Sequence, residues 1–228
     1  MRITYHVIPF VVLQTACSGG GGSAEPIKTE LLASSCTSSR PIVVELFGDS
    51  ANTAKSPYDN IIIGPTNNLQ AYMDTAFGAG KVIVRSKAVG GTTSQQLIDG
   101  TDGLNTPWPT TKSGDVVLVK HGIDDSFLKT PLGSHRANIT AFAKAGVILQ
   151  TPLPTYVEVT DLGDQPRIMR EVAQVNGTDI IDLGAWVSEH NWRAWTADQL
   201  HPTQDCWKAI VQGFFGPEVA KRVAALRC

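Results

Sequence analysis

Two short segments far apart in the chain carry residue types that together can transfer an acyl group. Gly48-Asp49-Ser50 follows an apolar run, and Asp198-Gln199-Leu200-His201-Pro202 lies near the C-terminus. A serine hydroxyl is a poor nucleophile at neutral pH. An imidazole must accept its proton, and a carboxylate usually fixes the imidazole tautomer. An aspartate three residues before a histidine can lie beside it across one turn, so Asp198 and His201 supply an orienting acid and a base. Gly-Asp-Ser by itself is ordinary turn sequence; the Asp/His block gives it chemical meaning. The reading is Ser50 as nucleophile, His201 as base and Asp198 as the residue that holds it.

Two further blocks lie between these. Val89-Gly90-Gly91-Thr92-Thr93 follows a second apolar run, and Gly122-Ile123-Asp124-Asp125 follows a third. Taken in order, the four blocks resemble the SGNH (GDSL-like) hydrolases, whose markers are Ser in Gly-Asp-Ser, a Gly after the second strand, Asn in Gly-x-Asn-Asp and His in Asp-x-x-His. The resemblance runs from Pro41 to the C-terminus. It implies a three-layer α/β/α sandwich on a five-stranded parallel sheet of flavodoxin-like type, and ester hydrolysis through an acyl-enzyme without a cofactor. It also implies an oxyanion hole formed by the backbone N–H groups of Ser50 and Gly91 and by the residue at position 124. There the chain departs from the family: Asp124 replaces the asparagine. An ionised carboxylate donates no hydrogen bond and repels a developing oxyanion, and losing one such donor costs about 10²–10³ in rate. Three accommodations are open: a protonated Asp124 raised by burial beside Asp125, a shifted loop that presents another donor, or a weakened enzyme; the rival reading is a non-catalytic protein that binds an acylated or carbohydrate ligand in the same cleft.

These blocks need elements to position them. From Pro41 onward, short Val/Ile/Leu-rich runs alternate with helix-like stretches, the pattern of a parallel α/β sheet covered on both faces. Strands are predicted at Ile42 to Phe47, Lys81 to Arg85, Asp115 to Lys120, Gly146 to Gln150 and Thr178 to Leu183. Helices are predicted at Asn67 to Phe77, Ser134 to Ala145 and Pro166 to about Val175. The stretch from Gln204 to Arg227 is helical in pattern, with a break or kink at Gly213, Gly216 and Pro217. Ligands in such sheets sit beyond the carboxyl ends of the strands, and all four blocks fall there.

Ahead of this domain, assigned to residues 41–228, Arg2 precedes the apolar run Val7 to Leu13, and Thr15-Ala16-Cys17 offers small residues for cleavage. Residues 1–17 read as a signal peptide, and the run is too short to span a bilayer. Residues 18–40 begin with the Gly-rich tether Ser18 to Ser23. A cysteine between such segments resembles a bacterial lipoprotein, with Cys17 lipidated, although Gln14 stands where the lipobox has an aliphatic residue. The expected location is the periplasm or the outer membrane, by way of a lipid anchor.

The 228 residues carry a net charge of −2, from 19 basic and 21 acidic side chains. No field strong enough to hold a nucleic acid follows from that balance, and a small-molecule or glycan ester suits it better. His135 and His190 lack partners at metal-ligand spacing and the cysteines are dispersed, so no metal is expected. His121 reads as packed or hydrogen-bonded and is left outside the triad. Trp192, Trp195 and Trp207 surround the Asp198/His201 segment and read first as packing residues. With Cys17 lipidated, an odd number of cysteines remains. A rise of about 1.5 Å per residue along one helix separates Cys206 from Cys228, which favours a Cys36 to Cys228 bridge with Cys206 free.

Overall fold

Alternation along the strands sets the layers. The computed structural model describes residues 40–53, 64–155, 162–190, 196, 198 and 200–227. Its sheet has five parallel strands in the order β2-β1-β3-β4-β5, a flavodoxin-like winding. The strands are β1 (Ile42–Gly48), β2 (Val82–Ser86), β3 (Val116–Lys120), β4 (Ile148–Gln150) and β5 (Ile180–Ile181). Ile42, Val44 and Leu46 of β1 join Val116 and Leu118 of β3 in one apolar cluster, while Phe47, Val117 and Val119 enter another. That is the two-residue period of a sheet covered on both sides.

The first cluster is closed by α1 (Thr66–Phe77), α7 (Gln204–Ile210) and α8 (Gly216–Arg227), through Leu69, Met73, Trp207, Ile210, Val219 and Val223. The second is closed by α4 (Leu132–Lys144) and α5 (Gln165–Asn176), through Ile139, Phe142, Ile168, Met169 and Val172. The expected three-layer α/β/α sandwich is therefore present.

Differences from the sequence reading are local. β5 pairs over two residues rather than running to Leu183, because Asp182 leaves the sheet to cap α6 (Leu183–Ser188). Its carboxylate accepts from the Ala185 N–H and the Thr151 hydroxyl, and it pairs with Arg170. The short helices α2 (Ser94–Asp99), α3 (Ile123–Phe127) and α6 escaped periodicity, which needs a longer window. α2 nonetheless has a capping box, Thr93 with Gln96, a signal present in the sequence.

The C-terminal run does not break at its glycines. It widens into a π-helical turn, Val211–Phe215, and continues as α8 with Pro217 as its second residue. Gly216 faces α1 so closely that a Cβ would come within 2.8 Å of the Tyr72 ring.

One expectation is overturned. Cys206, buried in the first turn of α7, is disulfide-bonded rather than free. The rise along a helix constrains only partners on that same helix. Cys17, Cys36 and Cys228 lie outside the described residues.

Candidate active site

The site is assembled from four loops at the carboxyl edge of the sheet. After β1, the backbone turns sharply at Gly48, with φ +141°; a Cβ there would lie 1.9 Å from the Lys120 carbonyl oxygen, so only glycine fits. Asp49 then caps a 3₁₀ turn, Ser50–Asn52, by accepting from the Ala51 N–H at 3.3 Å. Asn52, fully buried, holds the turn from below through the Phe47 carbonyl at 3.1 Å and the Gln150 side chain at 3.2 Å. Ser50 is thereby presented at the rim, 7% exposed.

Opposite it, the segment between Thr196 and Pro202 is closed by an antiparallel bridge between those two residues. Asp198 accepts from the N–H groups of Leu200 at 3.0 Å and His201 at 2.6 Å through one carboxylate oxygen. Its other oxygen lies 2.6 Å from His201 Nδ1. Nε2 of the same ring lies 2.7 Å from Ser50 Oγ. With the Nδ1 proton directed at Asp198, Nε2 is left as acceptor for the serine hydroxyl. Burial pushes the Asp198 carboxyl up, but hydrogen bonds from the His201 ring, the His201 N–H and the Leu200 N–H outweigh it and hold the pKa below the ordinary value. Asp198 therefore stays ionised, as an orienting carboxylate must.

Two other loops carry Gly91 and Asp124. Gly91 adopts φ +75°, a left-handed conformation that favours glycine, and a Cβ there would meet nothing within 4 Å. Asp124 stands in the first turn of α3. Burial, the largest influence, and the negative charge of Asp49 raise its carboxyl from 3.8 to about 7, with Asp125 adding to the rise and with Lys120 and the nearby Gly91 N–H opposing it. Asp124 Oδ2 is buried without a hydrogen-bond partner among the described residues. Of the three accommodations open in the sequence, a neutral acid at position 124 is the one this environment favours. Its principal charged neighbour is Asp49 rather than Asp125, which turns away.

Three features were missed in the sequence. Lys120, fully buried at the end of β3, pairs with Asp49 at 2.5 Å; a lysine closing the run Val116-Val117-Leu118-Val119 was the available signal. Asp49 also accepts from the Ile123 N–H at 3.3 Å, so it joins the serine turn to the Asp124 loop. Asp125 is buried among Ser94, His121 and His135. His121 is a packed residue, 1% exposed and stacked on Phe142. Trp207 is core, while Trp192 and Trp195 lie outside the described residues.

No protein-family profile matches the chain, and no curated protein matches it in sequence. Solved structures do. A lipase/acylhydrolase from Enterococcus faecalis superposes with a TM-score of 0.64 at 22% identity, over 79% of this chain and 96% of that one. This chain shares its fold. An acetylxylan esterase from Geobacillus stearothermophilus gives 0.60 at 15% identity, over 79% and 94%. An alpha/beta hydrolase enzyme from the metagenome of Lake Arreo gives 0.56 at 15% identity, over 81% and 97%.

Proposed function

We propose that the protein is a serine ester hydrolase. The observation that carries this reading is the continuous relay from Ser50 Oγ through His201 to Asp198, with contacts of 2.7 Å and 2.6 Å. His201 Nε2 takes the hydroxyl proton as Ser50 Oγ attacks the ester carbonyl carbon. The tetrahedral intermediate collapses, and the alcohol leaves with the proton from His201. Water, deprotonated in turn by His201, attacks the acyl-Ser50 ester; the acid leaves and the serine hydroxyl is restored. Asp198 keeps the imidazole in the required tautomer throughout.

The oxyanion rests on the N–H of Ser50, which opens the 3₁₀ turn and so has no partner within it, on the N–H of Gly91, and on Asp124 as a neutral acid. The Asp124 hydroxyl replaces the amide donor that an asparagine would offer.

The fold supports this reading: among the similar structures are a lipase/acylhydrolase and an acetylxylan esterase. Catalytic mutants of the latter change a serine, an aspartate and a histidine, the aspartate three positions before the histidine, the same spacing as Asp198 and His201. The substrate class we favour is a short-chain ester or an acylated carbohydrate. The proposed setting is the cell envelope, a placement resting on residues 1–23 alone, with Cys17 as the lipid-bearing residue.

Turnover of 4-nitrophenyl acetate by the full chain tests the enzyme reading. The expected result is activity that Ser50→Ala abolishes. Inactivity of both wild type and Ser50→Ala, together with gain of activity in Asp124→Asn, would contradict it and favour a ligand-binding protein that an ionised Asp124 has disarmed.

A further inference from the structure

The three backbone segments around the proposed oxyanion site are tied to one another in a closed triangle. The serine turn is joined to the Gly91 loop by the Val89 N–H donating to the Gly48 carbonyl at 2.9 Å. The serine turn is joined to α3 by Asp49, which accepts from both Ala51 and Ile123. The third side links α3 to the Gly91 loop: the Gly91 N–H is directed at the Asp124 carboxyl, and the start of α2 is held by the carboxylate of Asp125. Asp125, fully buried, accepts from the Ser94 N–H at 3.0 Å through Oδ2 and from the Ser94 hydroxyl at 2.7 Å through Oδ1. Ser94 is the first residue of α2, three positions after Gly91, and its N–H is one that the helix leaves unsatisfied. Asp125 directly follows Asp124.

We propose that Asp125 is a positioning residue, which sets the separation of Gly91 and Asp124 by clamping the start of α2 to the start of α3. The inference rests on the hydrolase reading of the same site. Its surroundings are built for a permanent carboxylate. Asn138 Nδ2 donates to Ser94 Oγ at 3.1 Å and so orients that hydroxyl's proton toward Asp125. His135 Nδ1 lies 3.3 Å from Oδ1 and His121 Nδ1 lies 4.0 Å from Oδ2, both rings fully enclosed. Burial works to raise the Asp125 carboxyl, but His135, His121 and Ser94 outweigh it and bring it down to about 2. Asp125 is thus charged at every pH at which the triad works, while its neighbour Asp124 is held up by burial and by Asp49. A clamp that does not titrate beside a donor that does keeps the geometry constant as the donor changes state.

Steady-state kinetics of the full chain on 4-nitrophenyl acetate, from pH 5 to 9, test the clamp. Asp125→Asn keeps the side-chain shape but removes the charge and one of the two acceptors. The expected result is a fall in kcat of about tenfold or more, with KM within about twofold of wild type. The alkaline limb should move to lower pH, because the charge of Asp125 helps keep Asp124 protonated. The acid limb should stay in place. Asp125→Asn with wild-type kcat and wild-type limbs overturns the proposal, as does a loss that moves KM and both limbs together. If Asp125→Asn does not fold, Ser94→Ala decides: lower kcat at unchanged KM and Tm supports the clamp, and unchanged kcat refutes it. A wild-type chain that neither turns over ester nor reacts covalently at Ser50 sinks the hydrolase reading and this inference with it; an active wild type with an unaffected Asp125→Asn sinks this inference alone.

Discussion

Asp124 is the residue on which the proposed chemistry turns. A carboxyl that titrates at about 7 donates a hydrogen bond only below that pH, so hydrolysis by the wild type should fall about tenfold per pH unit above it. Asp124→Asn, whose amide donates at any pH, should flatten that alkaline limb and exceed wild type at pH 8.5; a limb unchanged by the substitution would show that Asp124 does not face the oxyanion. Stability gives an independent reading of the same group. Its pKa is raised in the folded chain, so the folded state holds the proton more tightly than the unfolded one. That contribution is complete below pH 3.8 and is lost as pH rises to about 7. Asp124→Asn should therefore raise Tm at pH 8 by more than at pH 4.5, as measured by calorimetry. Residue types and spacing pointed to Ser50, Asp198 and His201, and the family resemblance pointed to Gly91. They did not supply the electrostatic neighbours of Asp124, because Asp49 and Lys120 meet it only once β1 and β3 have paired.

At the scale of elements, the site depends on strand ends that stop at the right height. β1 and β3 are in register through Gly48 and Lys120, and the Gly48 turn crosses the Lys120 carbonyl with no space for a side chain. Gly48→Ala should cost on the order of 4 kcal/mol in urea unfolding, the magnitude of a strained backbone combined with a steric clash; a cost below about 1 kcal/mol would mean that the turn can relax. Strands β1 and β3 were legible because their apolar runs are almost wholly enclosed, and β2 because its Val82 and Val84 are buried. β5 was overread because Asp182 is spent on capping α6, a tertiary choice that a propensity pattern does not record. The π turn before α8 was equally hidden. Gly213 and Gly216 signalled a break, but their small size serves close approach to Trp186 and Tyr72 instead.

For the whole molecule, order along the chain carried more information than any single motif. Gly-Asp-Ser is common; the same tripeptide followed by glycine, Gly-x-Asp-Asp and Asp-x-x-His in this order pointed to the parallel sheet and to the edge at which the candidate site lies. The disulfide at Cys206 was misread because cysteine pairing depends on which segments the fold brings together. The proposed envelope anchorage predicts that Cys17→Ser moves the protein from the membrane fraction to the soluble fraction after cell lysis; an unchanged distribution would rule out Cys17 as the anchor. The central claim is that Ser50 is an activated nucleophile. Incubating the full chain at pH 6 with a fluorophosphonate and mapping the adduct by mass spectrometry tests it most directly. The expected result is a single adduct on Ser50, lost in Ser50→Ala and strongly slowed in His201→Ala. An unmodified Ser50, or labelling at the same rate without His201, would contradict the account.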